Sequence, residues 1–205
     1  MGRLLSGDLG LRVAIGVGIF GLFLANSSQA GVFNLPHFVA PGEFGVGVEP
    51  ELTMSSGAGL GVNLRYIQGL SDLSNFTGIL GTGGGDRQFR LGGAFTFDFF
   101  PDTEGQPGIG LALQGLFVRL PNTGSVELTG VPYIHKSLKS QDALLEPYFA
   151  VPLGITLSQG TYKTIINLSF GSFFHHSAHF SSIAELGVSL NNSYTYLSGG
   201  IVYYH

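Results

Sequence analysis

From Glu43 to the end of the chain, apolar side chains alternate with small or polar ones in run after run, and only turn residues break the beat. A period of two places successive side chains on opposite faces of a strand. Sustained over so much of a chain, it leaves no place for a long helix. It confines the protein to consecutive strands whose two faces differ in character. The clearest run sets Phe89, Leu91, Gly93, Phe95, Phe97 and Phe99 on one face, with Gln88, Arg90, Gly92, Ala94, Thr96 and Asp98 on the other.

The same division recurs throughout. In the first run Phe44, Val46, Val48 and Leu52 oppose Gly45, Gly47, Glu49, Glu51 and Thr53, and Pro50 on the apolar face predicts an irregular spot or a bulge. Leu60, Val62, Leu64 and Tyr66 oppose Gly61, Asn63 and Arg65. Leu145 to Leu157 opposes Glu146, Tyr148, Ala150, Gly154 and Thr156, and Leu186 and Val188 oppose Glu185 and Gly187. Ser55–Gly57, Gly83–Asp86, Pro121–Gly124, Ser158–Gly160 and Asn191–Asn192 are turn signals between runs. The tally is about ten strands, within a range of 8–12, most of them long enough to cross a bilayer at a tilt. The expected fold is all-β: a closed, antiparallel, up-and-down transmembrane barrel.

Alternation alone also fits a soluble, lipocalin-like barrel that binds a hydrophobic ligand and turns its apolar face inward. The contents of the faces separate the two. A solvated face carries long charged side chains in quantity. Here the polar face is mostly Gly, Ala, Ser and Thr, with isolated charges at Glu49, Glu51, Arg65, Arg90, Asp98, Glu127, Glu146, Lys163 and Glu185. That composition suits the cramped interior of a narrow cylinder, where charges pair or stay hydrated. The apolar face, with Phe44, Tyr66, Phe99, Phe117, Tyr162, Tyr194 and Tyr204 near run ends, suits lipid with aromatic girdles.

Residues 1–30 have the pattern of a cleaved signal peptide: Arg3 and Arg12, an apolar stretch from Val13 to Ala25, and small residues at Ser28 and Ala30. Residues 31–42 are expected to form an N-terminal segment along the periplasmic rim, and residues 43–205 the barrel domain. With Arg3, Arg12 and Asp8 set aside, the remainder has seven Lys and Arg against twelve Asp and Glu. That balance excludes nucleic acid as a partner, which needs clustered positive charge. The absence of Cys excludes a disulfide framework and thiolate metal sites.

The last run, Tyr194 to His205, has no Lys, Arg, Asp or Glu. It resembles the closing strand of the small outer-membrane β-barrel proteins of Gram-negative bacteria. Their assembly signal is a polar residue, a Gly two positions on, and aromatics three and five positions after that. Ser198, Gly200, Tyr203 and His205 occupy those places, with His205 where the family has Phe. The resemblance implies the bacterial outer membrane as location, and outer-membrane lipids and the barrel-assembly machinery as partners. A monomer is expected.

The chemistry legible in the residues is sparse. The interior charges predict either a polar plug or a lining for a narrow ion or solute path, since about ten strands leave little lumen. His175, His176 and His179 fall together, but a connection without neighbouring carboxylates is a poor metal site, so no metal and no other cofactor is expected. A lipid-modifying enzyme would need a Ser, His and acid set at the outer rim. His135 and His175–His179 fall at the opposite edge, and there is no G-x-S-x-G elbow. No catalysis is expected. The functional expectation is a structural barrel or narrow channel.

Overall fold

A computed structural model describes residues 37–55, 57–139 and 144–205; the expected signal peptide and the start of the N-terminal segment lie outside them. The strands are β1 (Phe44–Thr53), β2 (Gly59–Ser71), β3 (Ser74–Gly83), β4 (Phe89–Phe100), β5 (Gly108–Arg119), β6 (Gly124–His135), β7 (Leu138–Lys139), β8 (Leu144–Ala150), β9 (Leu153–Ser158), β10 (Thr161–Ser177), β11 (Phe180–Asn191) and β12 (Tyr196–Tyr204). Every pairing is antiparallel. The order is sequential, and β1 pairs with β12 from Gly45 opposite Tyr204 to Thr53 opposite Tyr196, so the sheet closes.

The wall has ten staves. β8 and β9 are two halves of one stave, lying end to end between β6 and β10. The break falls at Pro152, which has no N–H to donate, and the ladder is bridged by Val151 N–H to Pro132 O at 3.0 Å and Asn167 N–H to Pro152 O at 3.0 Å. β7 is a short flap against the start of β8. Pro50 interrupts the β1–β12 ladder without shifting its register, so the expected irregularity is a gap in hydrogen bonding rather than a bulge. Ser198 Oγ donates to Pro50 O at 3.2 Å across that gap.

The apolar side chains face outward around the wall, and the polar ones point to the axis. Phe95 is 40% and Leu113 52% exposed, whereas Arg90 is 2% and Glu185 1% exposed. This is the reverse of a soluble ligand-binding barrel. Two of the expected girdle residues are placed otherwise: Tyr194 and Tyr204 are buried inside, as is Tyr196, and Tyr203 takes the outward position. The closing strand carries Tyr on both faces, and glycines opposite make room for the inner rings. A Cβ on Gly187 would stand 2.0 Å from Tyr196 Cε1, and one on Gly45 2.9 Å from Tyr204 Cδ1.

At the end of the barrel where β1 starts and β12 ends, residues 37–40 do not run along the rim. They turn into the mouth. Val39 is buried against an interior cluster that includes Ile67, Val131, Tyr148, Phe173 and Tyr204. Asn75 holds this segment from both directions: its Oδ1 accepts from Val39 N–H at 3.2 Å, and its Nδ2 donates to His37 O at 2.7 Å.

Candidate functional site

The interior is filled at three levels. At the end where β1 finishes and β12 begins, Glu51 on β1 collects the cations. Arg90 Nη1 on β4 lies 2.7 Å from its Oε2, Asn63 Nδ2 on β2 donates to the same oxygen at 3.1 Å, and Arg87 forms a third contact. Arg87 also donates to Thr53 Oγ1 at 2.7 Å, and its guanidinium lies over the Tyr194 ring at 4.6 Å. Glu127 on β6 is buried in the field of Arg87 and Arg90, with its Oε1 lacking a hydrogen-bond partner.

At mid-height Arg65 Nε on β2 donates to Glu49 Oε2 on β1 at 2.6 Å. Glu185 on β11 accepts from Tyr196 OH at 2.6 Å and from Tyr148 OH on β8. These groups sit on inward positions because the period-two phase of each strand allows nothing else.

The third level lies at the mouth that residues 37–40 enter. Asp98 Oδ1 accepts from Tyr133 OH at 2.8 Å, and His135 Nε2 is 2.9 Å from Oδ2. Glu146 lies between two imidazoles: His37 Nδ1 is 2.9 Å and His175 Nε2 2.8 Å from its Oε2. Ser137 Oγ donates to Oε1 at 2.8 Å, and Ser181 Oγ is 2.8 Å from His175 Nδ1. Beyond the strands, Lys136 Nζ reaches Asp102 Oδ1 at 2.7 Å and Ser137 N–H reaches Oδ2 at 2.6 Å. Partial burial works against ionising the Asp102 carboxyl, but these donors outweigh it and hold it below the usual carboxylate range.

Among the described buried residues, Glu49, Glu51, Asp98, Glu127, Glu146 and Glu185 outnumber Arg65, Arg87 and Arg90 two to one. Tyr and His hydrogen bonds hold Asp98, Glu146 and Glu185, while Glu127 lies in the field of Arg87 and Arg90. Lys163 departs from the expected network: it lies exposed near the start of β10, where the strand runs past the filled part of the lumen. His175 also departs from expectation, since β10 continues to Ser177 and carries it into the interior, apart from the exposed His176.

Sequence reasoning missed Arg87, which lies in a turn outside the strand phase, and His37, which lies on the segment before β1. Tyr196 could have been found, because it is two residues before Ser198 on the same face. Of the expected assembly-signal residues, Ser198 points inward, Gly200 packs its backbone near Glu49, and Tyr203 points outward. His205 hydrogen-bonds Phe44 through its backbone, N–H to O at 2.8 Å.

The Ser181–His175–Glu146 chain has the composition of a hydrolytic triad. Ser181, however, is fully buried, so a substrate carbonyl has no path to its hydroxyl.

No family model matches the chain, and no curated protein matches it. Among solved structures, a designed transmembrane β-barrel aligns at 16% identity and a TM-score of 0.42, over 82% of this chain and 100% of that one. An outer membrane channel from Pseudomonas putida F1 aligns at 10% identity and a TM-score of 0.47, over 86% of this chain and 100% of that one. The architecture stated above rests on the strand pairing of this chain.

Proposed function

We propose that this protein is a monomeric barrel spanning a bacterial outer membrane, with a lumen shut at rest. Its role is structural, or that of a narrow ion path that conducts only when interior side chains rearrange; no catalysis is assigned to it. One observation carries this reading: the wall is apolar outside while charged groups fill the axis. Apolar side chains of strand after strand facing water would be a severe aggregation liability, whereas hydrocarbon accepts them. A closed barrel also satisfies its backbone without edges, as a bilayer requires.

The filled axis argues against general diffusion. Tyr194, Tyr196, Glu49, Glu185 and Ile165 are among the largest fully buried side chains. The closing strand, with Ser198, Gly200, Tyr203 and His205, is the segment that the assembly machinery would read.

Two measurements test the proposal. Fractionation should recover the protein only with detergent, migrating heat-modifiably on gels. Planar bilayers containing it should show no steady open-state current. Release into detergent-free buffer would refute the membrane reading, and a large constitutive conductance would refute the shut lumen.

A further inference from the structure

Among the described interior acids, Glu49 and Glu51 are held by arginine, Glu185 by tyrosine and Asp98 by one histidine with a tyrosine. Glu146 differs from these, because two imidazoles converge on one of its oxygens. We propose that His37, Glu146 and His175 bind one divalent transition-metal ion of the zinc class, which clamps residues 37–40 into the mouth of the barrel. The site goes beyond the membrane reading and would exist whether or not the lumen ever conducts.

The donor atoms His37 Nδ1, His175 Nε2 and Glu146 Oε2 all lie within 4.8 Å of one another. Two ligand atoms on a tetrahedral zinc stand about 3.3 Å apart. The His–Glu separations are 2.9 and 2.8 Å, so each must open by only about half an ångström to admit the ion. The two His rings lie with centroids 4.4 Å apart, tilted by 48°, and each has one nitrogen within hydrogen-bond distance of Glu146 Oε2.

The supporting contacts are those of an oriented site. Ser181 Oγ holds the far nitrogen of His175, and Ser137 Oγ holds the far oxygen of Glu146. Partners of this kind fix ligand orientation and add to metal affinity. His175 is further fixed by a stack on Phe173, with an interplanar angle of 11°. His37 sits on a segment outside the wall whose backbone Asn75 holds, so the adjustment that admits the ion falls on its side chain. Its side chain is 26% exposed, which leaves a route from the mouth. Three protein ligands leave a fourth position for water. The other four histidines do not join: His135 is on Asp98, His176 contacts Ser182, His179 lies 3.1 Å from Tyr204 O, and the His205 ring packs on Phe44 with centroids 5.2 Å apart.

The test uses untagged, full-length barrel in detergent, stripped with a chelator. It is titrated with Zn²⁺ by calorimetry, and with Co²⁺ as a visible-absorption probe. One equivalent should bind. His37→Ala, His175→Ala and Glu146→Gln should each weaken binding by about 100-fold or more and abolish the tetrahedral Co²⁺ bands. His176→Ala should bind as the parent does. Heat-modifiable migration confirms that each variant is folded, and His37→Ala leaves the wall untouched. The proposal is overturned if the parent shows no saturable site. It is equally overturned if binding survives the His37→Ala/His175→Ala pair, or if it disappears with His176→Ala.

Discussion

Replacing Arg65 by Met asks the most of the interior network. Arg65 Nε lies 2.6 Å from Glu49 Oε2, with side chains 3% and 1% exposed, and Glu185 is within its electrostatic reach. Removing one partner of such a pair leaves a buried carboxylate uncompensated, at a cost of about 3–5 kcal/mol. At roughly 1.4 kcal/mol per decade, that is on the order of a thousandfold in the unfolding equilibrium. Replacing both partners with apolar residues of similar volume, Arg65→Met with Glu49→Leu, removes the stranded charge along with the attraction, and swaps of this kind are neutral or stabilising by about 1–4 kcal/mol. The double variant should therefore recover most of the loss, giving a large coupling energy. The assay is reversible urea unfolding in lipid vesicles for the parent, both single variants and the double variant. Losses that simply add would refute the argument, because they would mean that water reaches Glu49 and screens it.

Other outcomes follow from the same geometry. Leu113→Arg, at mid-wall on the outer face, should destabilise the barrel by about 2–4 kcal/mol in vesicles; a neutral result in the same unfolding assay would argue against hydrocarbon there. Gly187→Ala would place a Cβ 2.0 Å from Tyr196 Cε1; overpacking of this kind costs about 1–3 kcal/mol, and an unchanged urea midpoint would contradict the close ring-on-backbone packing. The Asp102 carboxyl is held below its unfolded value of about 3.9, so its contribution is complete above that pH and fades as pH falls through the folded value. The stability gap between the parent and Asp102→Asn should therefore close on acidification, and a gap that persists at low pH would exclude the Lys136 and Ser137 tether.

The wall was legible because a half-buried strand writes its environment into every second residue. Leu91, Phe95, Arg90 and Thr96 report their faces with no knowledge of the partner strand. The place of Arg90 in the interior could be read for the same reason. Its partner could not, because Glu51 is three strands away and register depends on turn geometry and wall closure. Residues outside the strand phase gave no such signal. Arg87 follows a glycine turn and folds over the lumen. His37 precedes the first strand and reaches Glu146 only because Asn75 turns its segment inward. Tyr194 and Tyr204 misled for a different reason: Tyr204 turns inward against Gly45 and Tyr194 lies under the Arg87 guanidinium, and neither match is visible until register and the fold of the turn are known.

The register problem also explains why a narrow membrane barrel keeps charge on its axis. With both faces apolar, sliding one strand by a residue would exchange equivalent surfaces, and nothing would choose the correct closure. With Glu49, Arg65 and Glu185 inside, the same slip would carry them into lipid, where an Arg alone costs about 2–4 kcal/mol at mid-depth. The contacts add a second constraint. Glu49 and Arg65 link β1 to β2, Glu185 and Tyr196 link β11 to β12, and Tyr148 reaches the same acid from β8. The partners therefore flank the seam where β12 meets β1, which is the pairing most distant in sequence and slowest to find. On this argument the interior acids are chiefly devices of register and closure. Opening a path for solute would require these pairs to part, and residues 37–40 would still fill the mouth.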